Sequence, residues 1–90
     1  MAEVREGVDA LDAEIVALLA RRFDYMAAAA RIKRERGAVR DEARKAQVIA
    51  NARSHARAHG LPEEPIAALW DRLVEASIAY EFDLFDQRGR

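Results

Sequence analysis

Residues 3 to 36 read EVREGVDALDAEIVALLARRFDYMAAAARIKRER and carry a strong helical pattern. Its apolar residues recur at alternating intervals of three and four, which is the spacing of one face of an α-helix. No proline or glycine interrupts the pattern between Gly7 and Gly37. We therefore predict a single helix over residues 3 to 36. Its apolar face consists of Val4, Val8, Leu11, Ile15, Leu18, Tyr25, Ala29 and Ile32.

The length of this helix bears on the assembly of the protein. At about 1.5 Å per residue it is roughly 50 Å long. A compact chain of 90 residues has a radius of gyration of about 12 Å, so the helix cannot lie within the body of one subunit. A second copy packed along the apolar face, across a two-fold axis, is the simplest way to cover it. We expect an intertwined homodimeric helical bundle.

Two further helices are predicted. Asp41 suits the N-cap of a second helix, and Gly60, which readily adopts a left-handed conformation, suits its end. A third helix opens around Pro62 and runs to about Asp86. Because no repeat or interdomain linker is visible, we expect residues 1–90 to form one all-α domain of three helices. The inward face of the third helix is predicted as Ile66, Leu69, Trp70, Leu73, Ser77, Tyr80, Glu81 and Leu84.

The composition excludes several classes of function. Lysine and arginine total 15 against 16 acidic residues, which argues against a dedicated nucleic-acid or membrane-surface binder. Cysteine is absent, which removes disulfides and thiolate catalysis. His55 and His59 have the spacing of a metal-binding pair but lack the glutamate motif between them, so no metal site is expected. The acid-rich first twenty residues do not suit a secretory signal, and we expect a cytoplasmic protein.

Arg22 is the least expected residue on the apolar face, where it stands between Leu18 and Tyr25. A buried guanidinium without a partner costs several kcal/mol. Either a carboxylate of the protein, such as Glu81, or an anionic ligand must meet it. The sequence leaves these interpretations open, together with a third in which the long side chain extends its charged group to solvent.

Lys33 and Arg5 are two further cations of the first helix that bear on a site. Lys33 follows Arg22 by eleven residues, which places it within about 20° of the same helix face and some 16 Å further along the axis. The two cations can therefore flank one small ligand. Arg5 lies about 25 Å before Arg22 and about 100° round the helix, so only a partner subunit could bring it to that ligand.

Two polar pairs lie on the other helices. Asp41 and Arg44 share a face by the three-residue rule, and Ser77 and Glu81 share one by the four-residue rule. Each residue also has a purely structural interpretation, as a helix cap, a surface ion pair or a backbone-bonded hydroxyl. It is the combination of these residues with the cations of the first helix that favours a ligand cavity.

The combined pattern resembles the all-helical chorismate mutase family over essentially the whole chain. The stretch from Arg21 to Met26, followed by Lys33, also looks like the isochorismate pyruvate-lyase branch of that family. The residues that carry the resemblance are Val4-Arg5, Ala10-Leu11-Asp12, Leu18-Leu19-Ala20-Arg21-Arg22, Arg31-Ile32-Lys33, Val39-Arg40-Asp41 with Arg44, and Ser77 with Glu81.

The resemblance implies a dimer with two sites and no cofactor, each site completed by Arg5 of the other subunit. By resemblance, the two carboxylates of a dianionic substrate such as chorismate would be held by Arg5, Arg22 and Ser77. Lys33 would contact a carboxylate and the ether oxygen, and residue 81 would donate to the same oxygen.

The same resemblance places Asp41 and Arg44 near the ring hydroxyl. Two positions depart from the family's pattern. Many bacterial members have glutamine where this chain has Glu81, and only a protonated acid can donate a hydrogen bond there. Many members have a glutamate that binds the ring hydroxyl where this chain has Lys45.

Three functions are therefore carried forward. The first is a chorismate mutase that rearranges chorismate to prephenate by conformational and electrostatic catalysis. The second is an isochorismate pyruvate-lyase, which releases salicylate and pyruvate. The third is a non-enzymatic helical dimerisation module, in which Arg22 would set the register of the two helices. A small nucleic-acid binder is disfavoured by the balanced charge.

Overall fold

The computed structural model describes residues 1–89, and in them every regular element is helical. Helix α1 spans Ala2–Ile32, α2 spans Glu42–Ala58 and α3 spans Glu63–Gln87. A single 3₁₀ turn, Arg36–Ala38, lies between α1 and α2. The prediction of an all-α chain of three helices with a very long first helix is confirmed. No helix among residues 1–89 is long and apolar enough to cross a membrane.

The signals at both ends of α2 act as the sequence predicts. The Asp41 side chain accepts a 2.9 Å hydrogen bond from the Arg44 backbone N–H. At the other end, Gly60 has φ 69°. The Leu61 N–H bonds to the Ala56 carbonyl at 2.8 Å, and the Gly60 N–H bonds to the Arg57 carbonyl at 3.2 Å. These two bonds form a Schellman motif, which satisfies carbonyls that the helix leaves without partners.

Helix α1 ends earlier than the sequence predicts. The last residue is Ile32 rather than residue 36, and Lys33 is its C-cap with extended backbone angles, φ −62° and ψ 136°. The Lys33 N–H still bonds to the Ala29 carbonyl at 2.9 Å. The prediction of a helix to residue 36 is therefore wrong, and at this point the carbonyls of Ala30 and Lys33 accept hydrogen bonds from the guanidinium of Arg88, the residue that follows α3.

Helix α3 is the centre of the fold, since it packs against both α1 and α2, while the backbones of those two do not approach each other closely within residues 1–89. The buried core is small and comprises Val39, Val74 and Ile78, with Val48, Phe82 and Phe85 packed against it. The predicted inward face of α3 is partly wrong, because Leu69 is 60% exposed and Tyr80 39%. The buried residues of α3 are Ala67, Val74, Ser77, Ile78 and Glu81.

The first half of α1 projects from the rest of the chain. Residues 1–18 are all exposed, and the chain measures 51 × 26 × 15 Å with a radius of gyration of 15.7 Å. A compact chain of this length would have about 12 Å. A continuous apolar stripe on the projecting part is between 50% and 59% exposed, and it comprises Val4, Val8, Leu11, Ile15 and Leu18. The partner that would cover this stripe stays a prediction.

Candidate active site

Arg22 reaches from α1 across to α3. Its guanidinium Nη1 donates a 2.6 Å hydrogen bond to Ser77 Oγ. Ser77 is 3% exposed, and its hydroxyl donates in turn to the Leu73 carbonyl, one helical turn earlier, at 2.7 Å. Because the hydroxyl proton takes part in this bond to the Leu73 carbonyl, the hydroxyl oxygen presents its lone pairs to the guanidinium. Ser77 thus fixes the direction in which Arg22 points.

Arg22 has no acidic partner among residues 1–89. The carboxylate proposed from the sequence, Glu81, pairs with Lys33 instead. Burial lowers the pKa of the Arg22 guanidinium, and the nearby positive charge of Arg44 lowers it further. A partly buried cation that faces a second cation and lacks a carboxylate is suited to bind an anion.

Lys33 and Glu81 form the second polar contact between α1 and α3. Lys33 Nζ lies 2.5 Å from Glu81 Oε1, and the Glu81 side chain is 4% exposed. The same oxygen makes no hydrogen bond of normal geometry. The two groups are therefore close enough to form an ion pair, but they are not aligned for a hydrogen bond. The Glu81 oxygen can still form a hydrogen bond with another group. Because the two atoms are so close, one further oxygen could touch both.

The N-terminal turn of α2 supplies the third side of the arrangement. Arg44 is exposed, and its guanidinium donates to the Gln47 side chain at 2.6 Å. Lys45 is turned toward α3, where its Nζ lies 3.0 Å from Asp71 and 3.1 Å from Glu75. These two carboxylates, Asp71 first, raise the pKa of Lys45. The Lys45 charge is thus already compensated, whereas that of Arg22 is not.

These side chains surround one cavity of about 330 Å³, a volume in the range of small-molecule pockets. Six of the seven site residues predicted from the sequence line it, and Arg5 does not. Arg5 lies in the exposed first turns of α1, so within one subunit it stands apart from the other six. The charged and hydroxyl residues of the wall are Arg22, Lys33, Asp41, Arg44, Lys45, Ser77 and Glu81.

The apolar part of the wall is absent from the residues predicted for the site. It consists of Met26, Ala29, Ala38, Val39, Val48, Val74 and Ile78. The sequence does contain a signal for the part of this wall that lies on α1. Met26 and Ala29 follow Arg22 by four and seven residues and therefore share its helix face. A wall of this kind lowers the local dielectric and strengthens the action of the charges it encloses. Cations outnumber acids four to two around it, so the cavity favours a negatively charged ligand.

No group of three or more histidine, aspartate or glutamate side chains within residues 1–89 is arranged to hold a metal ion. His55 and His59 both lie on the exposed surface at the end of α2. The arginine and lysine side chains of the cavity wall can bind an anion and donate hydrogen bonds to it.

Two comparisons with known proteins find similar sequences. A family model described as chorismate mutase type II matches residues 4–82. An isochorismate pyruvate lyase of Pseudomonas aeruginosa is 30% identical to this chain over 87 residues, which cover 97% of this chain and 86% of that protein. The span matched by the family model contains all seven predicted site residues, from Arg5 to Glu81.

Proposed function

Because the chain belongs to the type II chorismate mutase family, we propose that it is an enzyme that rearranges chorismate to prephenate. The observation that carries the proposal is the Arg22 guanidinium, which is held by Ser77 in a cavity and lacks a carboxylate partner within residues 1–89. A carboxylate of the substrate would supply that partner. Arginine suits this task since its planar fork binds a carboxylate through two parallel hydrogen bonds.

The reaction requires no nucleophile and no base. The ether bond of the substrate breaks while a carbon–carbon bond forms in the same step, so the protein must fold the dianion into its reactive shape and stabilise charge that grows on the ether oxygen. Arg22 and Ser77 would perform the first task by fixing a carboxylate. Asp41 and Arg44, at the start of α2, would contact the side of the ring that carries the hydroxyl.

Lys33 and Glu81 would perform the second task. Their side-chain atoms lie 2.5 Å apart, so an ether oxygen that lies beside both atoms could accept a hydrogen bond from each. Glu81 can donate only when it is protonated. For that role Glu81 would take up a proton when the substrate binds, and the ion pair with Lys33 would then be exchanged for two contacts to the ether oxygen.

The proposal includes a second copy of the chain. Arg5 lies outside the cavity of its own subunit, and the exposed apolar stripe of α1 begins at Val4 beside it. A partner that packs along this stripe would cover it and could place its own Arg5 at the cavity. Each site of the homodimer would then contain residues from both chains.

Isochorismate pyruvate-lyase activity is the second candidate, and the observation that favours it is the name of the Pseudomonas aeruginosa relative. The substrate is a related dianion, and its breakdown to salicylate and pyruvate is also a cyclic shift of electrons. The same cations would therefore serve. The two substrates differ in the position of the ring hydroxyl. Lys45 lies on the cavity wall beside Asp41 and Arg44, which are the residues proposed to contact that hydroxyl.

Parallel assays with the two substrates test the proposal. Purified protein is incubated with chorismate or with isochorismate, and prephenate, salicylate and pyruvate are quantified. We expect loss of chorismate with formation of prephenate, and a folded Lys33→Ala variant should be nearly inactive. Turnover of isochorismate alone would establish the lyase instead. A folded wild-type protein that converts neither substrate would contradict both candidates and favour a dimerisation module.

A further inference from the structure

The C-terminal end of α1 is held by Arg88, the residue that directly follows α3. We propose that Arg88 is a positioning residue for Lys33, and that it sustains turnover by ending α1 at the point where Lys33 faces Glu81. The inference rests on the proposed function, in which Lys33 contacts the reacting ether oxygen.

The contacts of Arg88 supply the first argument. Its guanidinium Nη1 donates to the Ala30 carbonyl at 2.7 Å and also to the Lys33 carbonyl, while Nη2 lies 3.5 Å from the Arg34 carbonyl. The last carbonyls of a helix have no partner within the helix. One side chain thus satisfies carbonyls on both sides of the helix end, where a positive charge also complements the helix dipole.

The second argument is that the local sequence does not stop the helix here. Arg34, Glu35 and Arg36 are all favourable helix-forming residues, and the chain has no glycine until Gly37. The helix nevertheless ends at Ile32, with Lys33 as an extended C-cap. The Arg88 guanidinium occupies the carbonyls that a continuing helix would use for its next turn, including that of Ala30.

Arg88 is itself held by packing. Its guanidinium lies 3.9 Å from the centre of the Phe85 ring, a cation–π contact, and Phe85 packs against the buried core. Arg88 therefore holds the end of α1 in a fixed position relative to the buried core. Arg88 also lies beyond residues 4–82, the span matched by the family model, so the contact belongs to a segment of this chain outside that match.

The consequence for the site is geometric. Lys33 Nζ must meet Glu81 Oε1, from which it is 2.5 Å away, and the same Lys33 carries one of the carbonyls that Arg88 binds. Without the guanidinium, the end of α1 would either fray or extend into residues 34–36. Both changes move the Lys33 backbone relative to Glu81, and misplacement by about 1 Å can cost about a hundredfold in rate.

The test compares Arg88→Ala, Arg88→Lys and a matched control, Arg36→Ala. Arg36 belongs to the same end of the molecule, where it stacks on Phe82 at 4.4 Å and bonds to Asp86. It makes none of the hydrogen bonds to α1 carbonyls that Arg88 makes. All variants are checked for helix content and dimer formation, and kcat and KM are measured with the better of the two substrates.

For Arg88→Ala we expect kcat to fall by about tenfold or more with KM within about twofold, because Lys33 acts mainly on charge that grows in the transition state. Arg88→Lys should recover part of the loss, since an ammonium group can still donate to these carbonyls. Arg36→Ala should retain a kcat within about twofold of wild type. A normal kcat in Arg88→Ala, or an equal loss in Arg36→Ala, would overturn the proposal.

A second readout does not depend on activity. The NMR signals of the Lys33 ε-methylene group, assigned by their loss in Lys33→Gln, report whether this side chain is held beside Glu81. We expect two inequivalent protons in the wild-type protein and in Arg36→Ala, and a single averaged signal in Arg88→Ala. Unchanged signals in Arg88→Ala would overturn the proposal even if activity falls. A wild-type protein without turnover would refute only the proposed function, and the NMR comparison would still decide the role of Arg88.

Discussion

Arg22 on α1 donates a 2.6 Å hydrogen bond to the hydroxyl oxygen of Ser77 on α3, although the two residues are 55 positions apart in the chain. The hydroxyl is held in turn by the Leu73 carbonyl at 2.7 Å. A cation without a carboxylate partner within residues 1–89 is thus already directed into the cavity. This relationship joins the fold to the proposed chemistry and leads to the first two predictions.

Replacing Arg22 with alanine should lower kcat/KM by about a hundredfold, equivalent to about 3 kcal/mol of transition-state stabilisation. The melting temperature should fall by at most a few degrees, because Arg22 has no ion pair within residues 1–89 and the change removes one hydrogen bond, to Ser77. The adjacent Arg21 is exposed and does not line the cavity, so Arg21→Ala is the matched control. Turnover close to wild type in Arg22→Ala, or an equal loss in Arg21→Ala, would refute this role.

Replacing Ser77 with alanine should have a smaller effect that depends on Arg22. One hydrogen bond contributes about 1 kcal/mol, so we expect kcat/KM to fall by about fivefold as the guanidinium loses its fixed direction. In the double variant, the Ser77→Ala change should add little to Arg22→Ala, because the two residues act as one unit. A double-mutant cycle measures this coupling, and strictly additive losses would contradict it.

Replacing Glu81 with glutamine should change the pH dependence of turnover. Only the protonated acid can donate to the ether oxygen, whereas an amide donates at every pH. The wild-type kcat should therefore fall as pH rises, and the profile of Glu81→Gln should be flatter. The exposed Asp83 on the same helix, outside the cavity, supplies the control Asp83→Asn, whose profile should match wild type. Identical profiles for wild type and Glu81→Gln would remove Glu81 from the reaction.

Glu75 should make stability depend on pH in the acidic range. Hydrogen bonds from Arg40 and Lys45 lower the pKa of Glu75 from 4.5 to about 2. Because its pKa is lowered in the folded state, the Glu75 carboxylate contributes stability that is fully present above pH 4.5 and is lost as the pH falls toward 2. Glu75→Gln should therefore melt below wild type at pH 7, and the difference should shrink between those two values. The contribution is modest because the Glu75 side chain is 40% exposed.

Thermal melts at a series of pH values check this prediction. Asp83→Asn again serves as the control, since Asp83 is exposed and has no ion pair within residues 1–89. The melting temperatures of this control and of wild type should keep the same separation at every pH. A difference between Glu75→Gln and wild type that is equally large near pH 2 would contradict the assignment.

Mixing two inactive variants should restore activity if the sites are shared between subunits. Arg5→Ala and Arg22→Ala homodimers should each be inactive, for different reasons. After subunit exchange, a hybrid dimer contains one site with both substitutions and one site with neither, so part of the activity should return. Exchange is verified by mass spectrometry of the intact dimers. Proven exchange without recovery would mean that Arg5 does not complete the neighbouring site.

Local signals in the chain were sufficient to predict much of this protein. The period of the apolar residues predicts the all-α fold and the unusual length of α1, since helical periodicity depends only on neighbouring residues. Asp41 and Gly60 predict the ends of α2 because capping is equally local. The chain also resembles the chorismate mutase family over almost its whole length, and the family match over residues 4–82 confirms that resemblance.

The way in which distant residues meet depends on the packing of the three helices. The tertiary structure shows that Glu81 pairs with Lys33 and leaves Arg22 to Ser77. It also shows that α1 stops at Ile32. Its packing turns Leu69 outward and Val74 and Ile78 inward, because α3 lies between two helices whose positions cannot be read from the period of α3 itself. These outcomes depend on contacts between residues some 50 positions apart, and a pattern within a single helix carries no information about them.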